Sequence, residues 1–156
     1  MLYSKTCEYA MRALACLALE NSDGFVQVEA ISKKATIARP YAAKIFQQLV
    51  KAGILKSQRG PSGGVAFLKS PNKVSLFEVI SAIEKINFFE NCVMGLDRCE
   101  DKNSCPLHNV WKEMNQKIVS SLKKTKITDL KAKASGFKYR ELERLKLKSS
   151  MLVEQP

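Results

Sequence analysis

Apolar residues recur at helical spacing from the beginning of the chain. Cys7, Ala10, Met11, Leu14, Leu17 and Ala18 follow an i, i+3, i+4, i+7 repeat and predict an amphipathic helix over residues 5–20. Asn21 and the Ser22-Asp23-Gly24 cluster end it. A short helix over 28–35 turns Val28, Ile31 and Ala35 inward, and Thr36-Ile37-Ala38 is a tight connection. Pro40 suits the first position of a third helix, which runs to Ala52. Its stripe is Ala42, Ile45, Phe46 and Leu49, and Gly53 fits the left-handed position after its end.

The period then changes. Ile54-Leu55-Lys56-Ser57 and Val65-Ala66-Phe67-Leu68 read as two strands around a turn rich in glycine and proline. Ser75-Leu76-Phe77-Glu78 is a capping box with Val74 and Val79 at the staple positions. It opens a helix to about Asn87, with Leu76, Val79, Ile80 and Ile83 inward. Pro106 marks another start, for a helix to about Lys124. There Leu107, Val110, Trp111, Met114, Ile118 and Leu122 form a stripe so narrow that it reads as a helix–helix seam between subunits. Residues 125–156 are basic; Lys138 to Lys148 predict a short helix, and the last residues a loose tail.

Two short helices joined by about four residues, followed at once by a hairpin, are in winged-helix order. The expected fold is mainly α with a small β-hairpin: a winged helix-turn-helix plus a long dimerisation helix. Four stretches follow: a winged helix over 1–74, a linking helix and cysteine loop over 75–105, a dimerisation helix region over 106–135, and a basic tail over 136–156.

With 46% hydrophobic and 26% charged residues in 156, the chain is long enough for one globular domain with an appendage. The longest unbroken apolar stretch, Ala13 to Leu19, falls far short of the roughly 20 residues of a membrane span. Glu8 and Arg12 interrupt the only stretch that could form a signal-peptide core, so the chain is expected to stay in the cytoplasm.

The net charge of +11 is uneven. Residues 1–74 hold 11 Lys/Arg against 4 acids, 75–122 hold 5 against 7, and 123–156 hold 10 against 4. A basic head draws polyanions. On the third helix Tyr41, Lys44, Gln47, Gln48 and Lys51 lie off the apolar stripe, beside Arg39, with no acid among them. Lysine contacts phosphate or guanine and glutamine pairs with adenine, so the expected partner is double-stranded DNA. Arg59 projects from the hairpin turn toward a minor groove or the phosphates. A nucleotide-binding phosphate loop does not fit, because no helix follows the glycines directly and no Lys-Ser/Thr follows them.

Three of the five cysteines lie close together: Cys92-x₆-Cys99-x₅-Cys105, with His108, the sole histidine, three residues on. An odd count argues against a disulfide framework. Four such ligands suit zinc or an iron–sulfur centre. Gaps of six and five are wide for a zinc knuckle and suit a loop wrapped around a larger object; sensing by reactive thiols is the other reading. Cys7 and Cys16, on the first helix, read as small core or interface residues.

Tyr9-Ala10-Met11-Arg12-Ala13-Leu14, the Pro40–Gly53 helix, the wing Arg59-Gly60-Pro61-Ser62-Gly63-Gly64, the Val79-Ile80 helix and the three-cysteine loop together resemble the IscR/NsrR-type (Rrf2) family of bacterial transcription regulators. The resemblance covers about residues 1–130 and implies a homodimer on DNA. It implies an iron–sulfur cluster held by Cys92, Cys99 and Cys105, with a [2Fe–2S] form favoured over a [4Fe–4S] form. The implied fourth ligand is His108, or alternatively Glu8 from the partner subunit. The first cysteine gap is six residues where these relatives usually have five.

These features predict a regulator that senses iron, redox state or nitric oxide. No membrane and no small-molecule substrate is expected. The alternatives are an electron-transfer or metal-carrier protein, for which the basic head has no purpose, and a cluster-free regulator responding to thiols or zinc. No nucleophile–base pairing stands out, so an enzyme is not expected.

Overall fold

The structure is a computed structural model in which residues 3–20, 24–84, 92–96 and 104–134 are described, with side chains through 130. The elements are α1 (Lys5–Leu19), α2 (Val28–Ala35), α3 (Arg39–Lys51), β1 (Leu55–Gln58), β2 (Gly64–Phe67), α4 (Leu76–Glu84), α5 (His108–Lys124) and α6 (Ile127–Ala134), with one 3₁₀ turn over Pro71–Lys73. The expected helices over 5–20, 28–35 and 40–52 stand within a residue or two of their predicted bounds. The expected helix over 138–148 lies outside the described residues.

Helix α1 is the centre of the head. Ser4 caps it, its Oγ accepting from the Cys7 amide at 3.2 Å. Cys7, Ala10, Leu14 and Leu17 are buried, and so are Ala13 and Ala15 on the other side. A helix covered nearly all round belongs inside a bundle. Helices α2, α3, α4 and α6 pack against it, and Ile31, Ile45, Leu49, Val79 and Ile80 complete one core. Every residue of the predicted stripes of α3 and α4 is buried.

Helix α3 ends in a Schellman arrangement. The Gly53 amide donates to Val50 O and the Ile54 amide to Leu49 O, both at 3.0 Å, with Gly53 at φ +70°. Ile54 is spent on this cap, so β1 begins at Leu55, one residue later than expected. The strands pair antiparallel, Leu55 with Phe67 through Gln58 with Gly64. Val26 adds a further rung by exchanging two 2.9 Å hydrogen bonds with Val65. At Gly64 (φ +147°) a Cβ would lie 2.1 Å from Val26 O, so only glycine fits there.

The capping box of α4 forms as its residues predict. The Ser75 amide donates to Glu78 Oε2 at 2.8 Å and the Glu78 amide to Ser75 Oγ at 3.2 Å. Burial alone would raise the Glu78 carboxyl; hydrogen bonds from Lys69 and Ser75 overcome it and hold the group at about 2.

Helix α6, within the basic segment after Lys124, is not among the expected helices. The Lys126 amide is capped by Asp129 Oδ2 at 2.7 Å. The Ile127 amide donates to Val74 O and the Leu76 amide to Thr125 O, both at 3.0 Å. Ile127 is fully buried in the head core. The stripe of α5 is open along its outer part: Val110 is 59% and Met114 53% exposed, while Trp111, Ile118 and Leu122 are half-buried. Of the stripe, Leu122, near the C-terminal end of α5, is the residue that packs against the head core. No helix among the described residues is long and apolar enough to cross a membrane.

Candidate nucleic-acid interface and cysteine centre

The second helix of the helix-turn-helix, α3, presents Arg39, Lys44, Gln47 and Lys51 to solvent. Arg39 also pairs with Glu29 of α2 at 3.7 Å. Gln48 is half-buried beside α4, where it, Lys44, Gln47, Lys51 and Ala82 line an open cleft of about 370 Å³. Arg59 is exposed where β1 gives way to the wing turn. That turn is braced from α2, whose preceding residue Gln27 donates through Nε2 to Pro61 O at 3.0 Å. Lys56, on β1, sits 5.5 Å from the Phe25 ring and adds a further cation beside the wing.

Tyr41 differs from the free surface side chain expected on this face. Its hydroxyl is hydrogen-bonded to Thr6 of α1, and its ring meets Tyr9 edge-on at 5.5 Å. On the other side of Tyr9 lies the Arg12 guanidinium, 4.8 Å from the ring centroid. Arg12 is 1% exposed and donates to Thr36 O at 3.4 Å. Thr36 closes α2 in the left-handed conformation, φ +53°, uncommon for a β-branched residue. Arg12, Tyr9 and Thr6 thus hold both the turn between the two helices and the first turn of α3. Pattern reading missed this set. The available signal was a cation set within an apolar helical run, Met11-Arg12-Ala13-Leu14.

At the far end of the described chain, Cys92 and Cys105 come together with their sulfurs 3.7 Å apart. Cys92 is 7% exposed and Cys105 half-buried. A tight turn follows Cys92, with the Gly95 amide donating to Cys92 O at 3.0 Å. It points backbone amides at the sulfur. Hydrogen bonds from Met94, then Leu96 and Gly95, outweigh burial and hold the Cys92 thiol below its ordinary range. Such a nest of amides suits an anionic sulfur.

Two thiolates on one tetrahedral ion, at about 2.3 Å each, stand about 3.8 Å apart. The observed separation therefore fits ligation of a metal centre by this pair. Among the described residues no group of three metal-binding side chains is assembled, and Cys99 lies outside them. His108 is buried as the first residue of α5. Cys105 precedes the helix in a turn, its carbonyl accepting from the His108 amide at 2.9 Å. That turn brings the backbone of His108 next to that of Cys105. Glu8 is half-buried on the first turn of α1 and pairs with Lys5 at 3.1 Å. Burial raises both α1 thiols, Cys7 to about 12 with Glu84 adding to the effect, and keeps them protonated.

Residues 3–133 match the profile of the Rrf2 family, described as iron-dependent transcriptional regulators. An HTH-type transcriptional regulator of Aquifex aeolicus is 37% identical over 132 residues, covering 83% of this chain and 91% of that protein. The HTH-type transcriptional regulator IscR of Yersinia pseudotuberculosis is 30% identical over 122 residues, covering 78% and 74%. In fold the chain is similar to CymR, the global cysteine regulator of Bacillus subtilis, with a TM-score of 0.69 and 20% identity over 83% of this chain and 95% of that one. These relatives are regulators and not enzymes. A basic winged helix braced from α1, in a chain matched over nearly all its described length, has one reading: the protein belongs to the Rrf2 family of DNA-binding transcriptional regulators.

Proposed function

We propose that the protein is a homodimeric regulator whose affinity for DNA is set by an iron–sulfur cluster in the cysteine loop. The observation that carries this is the convergence of Cys92 and Cys105 at 3.7 Å inside a nest of amides. The iron dependence named for the family favours iron over zinc at that place. Cys92, Cys99 and Cys105 would hold the cluster, with His108 as fourth ligand and Glu8 of a partner subunit as the alternative. The [2Fe–2S] form is the favoured one. Bound there, the cluster would supply a centre whose presence and oxidation state change with iron, oxidants or nitric oxide.

The chain's own residues do the rest. Residues 1–74 form the reading head. Arg39, Lys44, Gln47, Gln48 and Lys51 face the major groove, Arg59 reaches from the wing, and Tyr41 fixes the first turn of α3 from behind. Helix α5 pairs two subunits through Val110, Trp111, Met114 and Ile118, which sets the distance between two reading helices. Half-sites lie about one helical turn apart, so a small change of that distance alters affinity. The Cys92 turn and the foot of α5 meet at the two sulfurs, and ordering one orders the other. The 136–156 segment adds positive charge and has no assigned role.

The test is anaerobic purification of the full chain, with iron and sulfide analysis, absorption and Mössbauer spectra, and sedimentation. Operator binding is then measured before and after removal of iron. Two equivalents of sulfide-bridged iron per chain and a shift in operator affinity on their removal support the proposal. A protein holding only zinc, or one whose DNA binding ignores iron, overturns it.

A further inference from the structure

The spacing that lets Cys92 and Cys105 share a metal also lets them share a bond. Their sulfurs are 3.7 Å apart across 13 residues of sequence. Closing to the roughly 2.0 Å of a disulfide needs adjustment of two side-chain torsions and a turn, not of a helix. Cys105 is the partly open member, at the foot of α5, and Cys92 lies under the amides of its own turn. One sulfur is therefore placed to meet a solute and the other to resolve what forms. Cys7 is fully buried on α1.

We propose that, when the centre is empty, Cys92 and Cys105 form a reversible intrachain disulfide on exposure to a hydroperoxide, and that this bond bars refilling until it is reduced. The refilling half of the proposal rests on the cluster reading above; the disulfide half does not. The Cys105 sulfur attacks the terminal oxygen of the hydroperoxide. An S–O bond forms, the O–O bond breaks, and the alcohol, or water from hydrogen peroxide, leaves with a proton. The Cys92 sulfur then attacks the Cys105 sulfur. The S–S bond forms, the S–O bond breaks, and the hydroxide leaves as water with the Cys92 proton. Two thiols lose two electrons and one hydroperoxide gains them. A dithiol reductant reverses the change.

The consequence is two distinct empty states. A chain emptied by iron shortage keeps both sulfurs free and refills when iron returns. A chain emptied under peroxide has both tied to one another, and it ignores iron until a thiol reductant acts.

The experiment uses the full chain, stripped anaerobically with chelator and dithiothreitol, desalted, and treated with one equivalent of hydrogen peroxide. Free thiols are alkylated and the peptides mapped without reduction. The expected product is a Cys92–Cys105 linked peptide as the major species, with Cys99 alkylated. Iron and sulfide uptake should fall at least tenfold and return after dithiothreitol. Cys99→Ser should still form the link and Cys105→Ser should not, with helical circular dichroism confirming that both are folded. A link through Cys99, a covalent dimer on a non-reducing gel, or only sulfinic and sulfonic acids would overturn the proposal. A chain that forms the link yet never takes up iron when reduced overturns the refilling half and the cluster reading, and leaves the disulfide standing. A chain that loads iron and forms no link overturns the disulfide alone.

Discussion

Helices α1 to α4 bury their apolar faces against one another, whereas α5 leaves Val110 and Met114 more than half exposed. The head is complete within one chain. On the α5 arm, each large apolar side chain left in water forgoes about 1.5–3 kcal/mol of burial. The C-terminal end of α5 is tied down by Leu122 and, beyond the helix end, by Ile127. The reading surface stands on a packed core, and α5 joins that core through Leu122 near its C-terminal end.

Charging the open stripe of α5 is expected to have the largest effect. Val110→Lys with Met114→Lys should raise the dimer dissociation constant by at least about a hundredfold, roughly 2.7 kcal/mol, in sedimentation equilibrium. The urea midpoint of the head should hardly move, because neither side chain touches its core. A double variant that stays dimeric would place the subunit contact elsewhere.

Next in size is the anchor. Ile127 is fully buried in the head core, on a helix that packs against α1 and the 3₁₀ turn, and its amide is bonded to Val74 O. Ile127→Ala should cost about 2–5 kcal/mol of stability by urea unfolding, the range for a large-to-small change in a packed core. A loss under about 1 kcal/mol would show that the head closes without α6, and the arm would then be a separate unit.

Within the head, the exposed cations and the tethered tyrosine should separate. Arg59→Ala should weaken operator binding by about 1–3 kcal/mol per half-site if the guanidinium reads a base edge. Lys51→Ala should weaken operator and random DNA alike and lower the salt slope by about 0.9. Tyr41→Phe removes the bond to Thr6, so it should cost about 0.5–1.5 kcal/mol in affinity with the operator-to-random ratio unchanged. Anisotropy titrations at several salt concentrations read all three. A changed ratio for Tyr41→Phe would make it a base contact and not a support.

Local signals were legible and tertiary ones were not. The stripes of α3 and α4 and the Ser75–Glu78 box depend on residues three or four apart, and each is found as its pattern predicts. The first strand is displaced because Ile54 is used by the helix cap, a competition between two local rules. Ile127 was hidden by the basic composition around it, although Ile127, Leu130 and the Asp129 cap carried a helical signal. Arg12 could not be read as buried, because its place depends on Tyr9 and on the Thr36 turn 24 residues away. Of the centre, the grouping of cysteines was visible; the approach of Cys92 to Cys105 is a contact across 13 residues that no local spacing fixes.

The smallest effect expected is at Glu78, and its pH dependence is what identifies it. The folded carboxyl stands at about 2, below its ordinary value of 4.5, because the carboxylate accepts from Ser75 and Lys69. A depressed folded value means a contribution present in full above about 4.5 and lost as the pH falls toward 2. Glu78→Gln keeps an acceptor for the Ser75 amide and removes the charge. The variant of the reduced, metal-free protein should be less stable than the parent at pH 7, and the two should converge as the pH approaches 2. Both Glu78 and Lys69 are more than a third exposed, so added salt should shrink the difference at pH 7. Urea unfolding at pH 7, 4 and 2.5 checks it. A difference independent of pH would mean that the side chain acts through packing and that the charge on this cap does not matter.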